Sequence, residues 1–419
     1  MIANKYKTSV AAFVALLGST VLASAEIKVE FWHSFGGVAG AALDEIIDNF
    51  EVENPDITIE AQEIGNYNDI VTKLQAAIPA RRAPDAVIME VTRYGLFADR
   101  GVLLDLTDYV EADPLKDDLY NFAREVGVFE GKNYIVPFNS STPVLYYNKT
   151  IFEQAGLGAD TPLKTYDDLL VASKQITENL GDDGITGIAA PGQFARWGLI
   201  MDNDSDLIDS VSGEILLDAP NTIEAYEFMA SLIHEHKVAS PDGVTKENNG
   251  RDAFLAGKVG MMINSTGNYG RSTSALGDDL VVLPMPCNKV CAVPIGGAGI
   301  GILSTSDKDV QDAAYKFVSF AASPESNALW FSETGYMPIN KYTPEQPLAA
   351  AALAEKPGIG VAISQLDFAR GRPRPPVVTW MRASEYDMWQ AMALGQREVS
   401  DVLTEFAERT RAEAERLKR

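Results

Sequence analysis

Apolar positions in the first hundred residues switch between two periods. In Glu26-Ile27-Lys28-Val29-Glu30-Phe31-Trp32 they alternate with charged residues and then become continuous, as in a strand entering a core. Leu43, Ile46, Ile47 and Phe50 then recur on one helical face, and Asn54-Pro55 stops that helix. A second strand is predicted over Ile57–Glu60, a turn at Gly65-Asn66-Tyr67-Asn68, and a helix from Ile70 to about Ile78. The short apolar strand Pro84–Met89 ends at Glu90. Strand-helix-strand-helix-strand is the pattern of a doubly wound α/β lobe. Such lobes bind ligands beyond the carboxyl ends of their strands, where Trp32-His33-Ser34, Tyr67 and Glu90 fall.

The run Val136-Pro137-Phe138-Asn139-Ser140-Ser141-Thr142-Pro143-Val144-Leu145-Tyr146-Tyr147-Asn148-Lys149 places three hydroxyls and an amide between two segments that read as buried strands. It suits a hinge with a ligand-facing rim, or an ordinary strand-turn-strand. Beyond it a second α/β series begins: a helix near Tyr166–Leu170 that Thr165 can cap, a strand at Gly187–Ala190, and a loop or helix start at Gln193–Trp197. A helix over about Thr222–His236 and a strand at Val259–Ile263 follow. Leu280–Pro286 and Ala298–Leu303 read as strands rejoining the first lobe, followed by a helix over Ala313–Ala321. From about Glu385 to Leu417 the periodicity is helical, with Lys and Arg near the negative pole of the helix dipole. The expected division is a leader at 1–25, a first lobe of 26–143 with 280–321, and a second lobe of 144–279 with 322–419.

The leader is read from Lys5 and Lys7, the apolar run Val10–Leu17 and the small residues Ala23-Ser24-Ala25. Its apolar part is short for a membrane span, so an exported protein is expected, cleaved before Glu26. The formal charge of the 419-residue chain is −24, and removing the two leader lysines makes the remainder more negative. No basic stripe is present to bind a phosphate backbone, so nucleic acid is not an expected partner. An anionic ligand would need donors concentrated at one place. In an oxidising compartment Cys287 and Cys291 favour a small disulfide loop over a metal site, because His33, His234 and His236 lie far from them in sequence. No serine sits in a Gly-x-Ser-x-Gly elbow, and with 59 acidic residues almost any carboxylate pair can be nominated, so neither hydrolase reading is compelling. There is no phosphate-binding loop for ATP, and no cofactor is expected.

Asn139-Ser140-Ser141-Thr142-Pro143-Val144-Leu145-Tyr146-Tyr147-Asn148-Lys149 resembles the same run in the periplasmic sn-glycerol-3-phosphate-binding proteins of ABC importers. These are a branch of the extracellular solute-binding family that includes maltose-binding protein. Phe31–Ser34, Glu53–Asp56, Gly65–Tyr67, Glu90-Val91, Gly296–Ala298 and Thr334–Ile339 are similar to their counterparts there, in the same order. The resemblance implies a type II periplasmic binding protein: two doubly wound α/β lobes joined by crossing strands. It implies a non-enzymatic monomer in the periplasm that carries a small molecule to ABC permease subunits in the membrane. The expected ligand is glycerol-3-phosphate or a diester such as glycerophosphocholine, with a neutral sugar or oligosaccharide as the alternative and a hydrolase as a remote one. Carried over, the family's pocket implies Tyr67, Glu90, Ser140 and Ser141, then Trp197 with Phe194 where the family tends to have a second tryptophan. Ser265 or Thr266, Gly297 and Tyr336 would complete most of it. The phosphate-clamping arginine falls among Arg370, Arg372 and Arg374, with Arg382 further on. Counting back from the C-terminal helix favours Arg374, although the prolines around it depart from the family pattern.

Overall fold

The computed structural model describes residues 26–210, 212–241, 244 and 249–418; the expected leader lies outside them. Two mixed sheets organise the chain. In the first, β1 (Ile27–His33) pairs in parallel with β2 (Ile57–Glu63) on one side and β3 (Ala86–Glu90) on the other. Later strands join beyond β3, giving the order β2-β1-β3-β9-β4, where β4 is Val136–Ser141 and β9 is Gly296–Ile302, both antiparallel to their neighbours. The second sheet has the order β8-β5-β7-β6, from β5 (Pro143–Asn148), β6 (Thr186–Ile188), β7 (Val259–Ser265) and β8 (Leu280–Pro284).

The chain passes between sheets at Thr142, the single residue between β4 and β5, so the polar run read as a hinge is a crossing. The return differs from the expectation. Leu280–Pro284 does not rejoin the first lobe; it pairs antiparallel with β5 in the second sheet. The physical reason is that a short amphipathic strand specifies its faces but not its partner. The crossing comes after it, along 285–295. That segment carries the Cys287–Cys291 disulfide. Its loop is tied to the second lobe: Val290 N–H donates to the Asp202 carbonyl at 3.0 Å and Asn288 donates to Asn203 at 2.6 Å.

Helix α1 (Val38–Glu53) buries Ala42, Leu43, Ile46, Ile47 and Phe50, the stripe read from the sequence. Helix α2 starts earlier than expected, at Tyr67, and runs to Ala77. Asn66 accepts from the N–H groups of Asn68 and Asp69 while Asp69 accepts from the Asn66 N–H, a capping box in which the polar residues taken for a turn start a helix. Thr165 caps α3 (Tyr166–Leu180) in the same way with Asp168. Gln193–Trp197 opens a full helix, α4 (Gln193–Asp202), and α5 is Pro220–His234. Helix α6 (Lys308–Ala321) packs on the first sheet, its Phe317 among the ring contacts of Phe31 and Phe50. The C-terminal periodicity divides into α7 (Val377–Ala393) and α8 (Val399–Leu417). Between them Gly395 adopts φ +63°, a left-handed conformation that ends the first helix. Both pack into the second-lobe core with Trp197, Tyr226 and Met261.

Candidate functional site

Where β3 and β4 end and β9 begins, a cavity of about 240 Å³ opens between the two sheets. Seven of the expected residues line it: Tyr67, Glu90, Ser141, Phe194, Ser265, Gly297 and Tyr336. They come from both sheets, from the N-termini of α2 and α4 and, for Tyr336, from the segment after a helix ending at Thr334, as expected for a site beyond strand ends. Gly297 sits at φ +114°, and a Cβ there would lie 2.2 Å from the Asn139 carbonyl oxygen. Only glycine fits the close approach of β9 to β4. Tyr67 and Tyr336 form an aromatic wall with Phe35 and Trp330; Phe35 is 4.7 Å centroid to centroid from Trp330, and Trp330 stacks on Tyr336 at 5.7 Å. Burial raises both tyrosine pKa values above the ordinary range, so each keeps its hydroxyl proton to donate.

The opposite wall is ionic. Glu90 ends β3 and is buried. One of its carboxylate oxygens accepts from the Thr92 hydroxyl at 2.5 Å and the Thr92 N–H at 3.1 Å. Arg372 donates to the other oxygen, Arg382 approaches that same oxygen at 4.0 Å, and Arg93 lies 3.6 Å from the first. Burial alone would raise the Glu90 pKa; Arg372, Arg382 and Arg93 outweigh it and hold it at about 2. Burial draws Arg372 down to about 10 against the attraction of Glu90, so it remains charged at neutral pH. Arg372 also donates from Nε to the Ile295 carbonyl at 2.9 Å, and its guanidinium lies 5.0 Å from the ring centres of both Phe194 and Trp197. Gln193 holds the cluster together: it accepts from Arg382 at 2.7 Å and from Arg93 at 3.3 Å, and donates to the Arg382 carbonyl at 2.8 Å. Three buried guanidiniums therefore surround the Glu90 carboxylate, while Arg251, also on the cavity wall, is paired with Asp252 at 2.9 Å. Glu90 is not an isolated negative end of the cavity that would repel an anion.

Four expected residues lie outside the lining. Ser140 is buried in β4, with its hydroxyl 3.4 Å from the Gly296 carbonyl and its own carbonyl accepting from Met337 N–H. Thr266 is buried and its N–H donates to the Thr142 carbonyl at 3.0 Å. Trp197 lies a layer behind the wall, fully buried, under Arg372 and Arg382, with its indole N–H donating to Asp206 at 2.7 Å. It faces guanidiniums and not the cavity. Arg374 is turned away: it donates to the carbonyls of Glu125 and Val128, each at 2.7 Å, and to the Tyr94 hydroxyl at 3.3 Å. Of Arg370, Arg372 and Arg374, it is Arg372 that lines the cavity, beside Arg93, Arg251 and Arg382. Counting along 371–376 fails because that stretch forms no regular helix or strand, so sequence spacing does not fix side-chain direction. Arg93, Phe35, Asn264 and Asn268 also line the cavity and were not anticipated. Arg93 had a usable signal, since it stands three residues past the strand-ending Glu90.

The two-lobed fold with a polar cavity between sheets defines a solute-binding protein, and the chain belongs to that family: the model for bacterial extracellular solute-binding proteins matches residues 45–358. Proteins of this kind are the substrate-binding components of ABC importers, and that is the role of this chain. It is 28% identical over 384 residues to the sn-glycerol-3-phosphate-binding periplasmic protein UgpB of Escherichia coli O6:K15:H31 (strain 536 / UPEC), covering 84% of this chain and 83% of that one. Its fold matches the crystal structure of UgpB from Mycobacterium tuberculosis in complex with glycerophosphocholine, with TM-score 0.84 and 24% identity over 94% of this chain and 99% of that one. It also matches the ABC substrate-binding protein Lmo0181 from Listeria monocytogenes in complex with cycloalternan, with TM-score 0.83 and 23% identity over 92% and 98%. No helix among the described residues is long and apolar enough to cross a membrane, and none of their His, Cys, Asp and Glu clusters could hold a metal ion.

Proposed function

We propose that this protein captures sn-glycerol-3-phosphate or a glycerophosphodiester between its two lobes, in the periplasm after export, and delivers it as a monomer to a membrane permease without chemical change. The observation that carries this reading is the charge imbalance at the cavity. In a chain of net charge −24, the guanidiniums of Arg93, Arg372 and Arg382 are buried together around Glu90, with Asp206 acting on Arg372 from behind Trp197, so three cations meet two carboxylates. Burying excess charge of one sign is costly unless a partner supplies the other, and a phosphate accepting from paired guanidinium donors is such a partner. Tyr67, Tyr336, Ser141 and Ser265 offer hydroxyls at the neutral wall, and Phe35 and Phe194 offer apolar faces to the C–H surface of a glycerol. Ligand contacts to β3 and β9 on one side and to α4 and β7 on the other favour the closed arrangement of the lobes.

Calorimetric titration of protein refolded from denaturant, to remove carried ligand, tests the reading with glycerol-3-phosphate, glycerophosphocholine and maltose. Tight binding of a phosphorylated ligand, lost in Arg372→Ala, is expected. Binding of maltose alone would transfer the chain to the sugar-binding branch.

A further inference from the structure

A second and larger cavity, of about 730 Å³, lies between α2 and the C-terminal helices α7 and α8. It shares a wall with the first, because Asn68, Arg93 and Arg382 line both. We propose that this compartment receives the group esterified to the far side of a ligand phosphate, and that it selects hydroxylated or acidic head groups over quaternary ammonium ones. The inference rests on the glycerophosphate reading above and gives it a substrate preference.

The shared wall supplies the first reason. Arg382 is buried, and its Nη1 makes no hydrogen bond among the described residues, although Glu90 lies 4.0 Å away. A phosphodiester at this junction would bring an acceptor to that group while its two ester arms reach into the two compartments. The charge beyond the junction supplies the second. Arg416 and Glu413 form two hydrogen bonds, at 2.7 and 2.6 Å, and cancel each other. Arg100 remains as an exposed cation on that wall, and Arg93 and Arg382 stand at its inner end. A trimethylammonium would enter a field of guanidiniums in which Glu413 is paired with Arg416, and Glu90, beyond the junction, with Arg372.

Aromatic rings can hold such a cation, but Trp380, which lines the cavity with Phe97 and Tyr386, already has the Arg409 guanidinium 5.6 Å from its centre and stacks on Phe406. Thr72 and Gln75, three residues apart on α2 and so on one face, present a hydroxyl and an amide that suit a polyol.

Titration with glycerol-3-phosphate, glycerophosphoglycerol and glycerophosphocholine, at low and moderate salt, tests the proposal. Wild-type protein is expected to prefer glycerophosphoglycerol over glycerophosphocholine by on the order of tenfold, about 1.4 kcal/mol. Arg100→Glu should reduce or invert that ratio, and Gln75→Leu should weaken glycerophosphoglycerol more than glycerol-3-phosphate. Equal or tighter binding of glycerophosphocholine by the wild type, or a ratio unmoved in both variants, overturns the head-group inference while leaving glycerol-3-phosphate capture intact. Failure of the wild type to bind any of the three overturns both readings.

Discussion

Two buried charge clusters in this molecule are neighbours along the contact of α4 with α7 and are built on different accounts of charge. In one, Arg196 meets Glu385 with Nε and Nη2 at 2.9 and 2.8 Å, donates from Nη1 to the Pro191 carbonyl, and lies over Trp389; Tyr226 donates to the same carboxylate at 3.1 Å. One cation answers one anion, and neither residue lines the solute cavity. In the other, Arg93, Arg372 and Arg382 share Glu90 and open on that cavity. The balanced pair ties α4 to α7 and is architecture. The other cluster holds more guanidinium than carboxylate charge, which on the reading proposed above is answered by a ligand, so buried charge marks a candidate site where it does not sum to zero.

The largest effect is expected where the imbalance is removed. Arg372→Met should weaken glycerol-3-phosphate binding by on the order of 10²-fold or more, since truncating a buried charge partner costs about 2–5 kcal/mol. Arg374→Met, two residues away, should change affinity little and instead lower the unfolding midpoint, because its bonds go to the Glu125 and Val128 carbonyls. Calorimetry and urea unfolding on both variants decide between them, and a ligand defect confined to Arg374→Met would restore the assignment made by counting along the sequence.

That pair also marks how far the sequence could be read. Element types were legible because burial imposes a period: the Leu43–Phe50 stripe and the Thr165 cap needed only local spacing. The cavity residues at strand ends, Tyr67, Glu90 and Gly297, followed from the same logic joined to the family resemblance. Arg372 over Arg374 was not legible because the stretch between them has no period. Nor was the place of Leu280–Pro284, because a strand's sheet is chosen by long-range pairing. Trp197 has the residue type of a ligand platform but is spent on Asp206 and two guanidiniums, and composition carries no sign of that.

Breaking the balanced pair should give the converse phenotype. Glu385→Ala leaves Arg196 buried without its carboxylate and is expected to cost about 3–5 kcal/mol of unfolding free energy, with a smaller change in ligand affinity. If affinity fell as far as in Arg372→Met while stability held, the distinction between the clusters would fail. Gly297→Ala lies between the two classes. Its φ of +114° and the 2.2 Å approach to the Asn139 oxygen predict a loss of about 2 kcal/mol or more in stability together with weakened binding, because β9 must shift where it lines the cavity.

The pH dependence sharpens the comparison further, because the two acids nearest Arg372 act with opposite signs. Glu90 has its pKa depressed from an ordinary 4.5 to about 2, so its contribution to stability is complete above about 4.5 and is lost as pH falls through about 2. Asp206, behind Trp197, is raised from 3.8 to about 6, chiefly by burial, against the hydrogen bond from Trp197. The folded state therefore holds the Asp206 proton more tightly than the unfolded state, and ionising it costs stability progressively as pH rises from about 4 through 6. Asp206→Asn keeps a carbonyl oxygen to accept from the Trp197 indole and removes the titration. Subtracting its unfolding free energy from that of the wild type at each pH should leave a difference that changes between about 4 and 6 and is flat on either side. The steep acid loss below 4.5, which belongs to Glu90 beneath its three arginines, should persist in the variant. A difference curve flat across the whole range would mean that Asp206 binds its proton equally in the folded and unfolded protein, with the field of Arg372 offsetting the whole effect of burial.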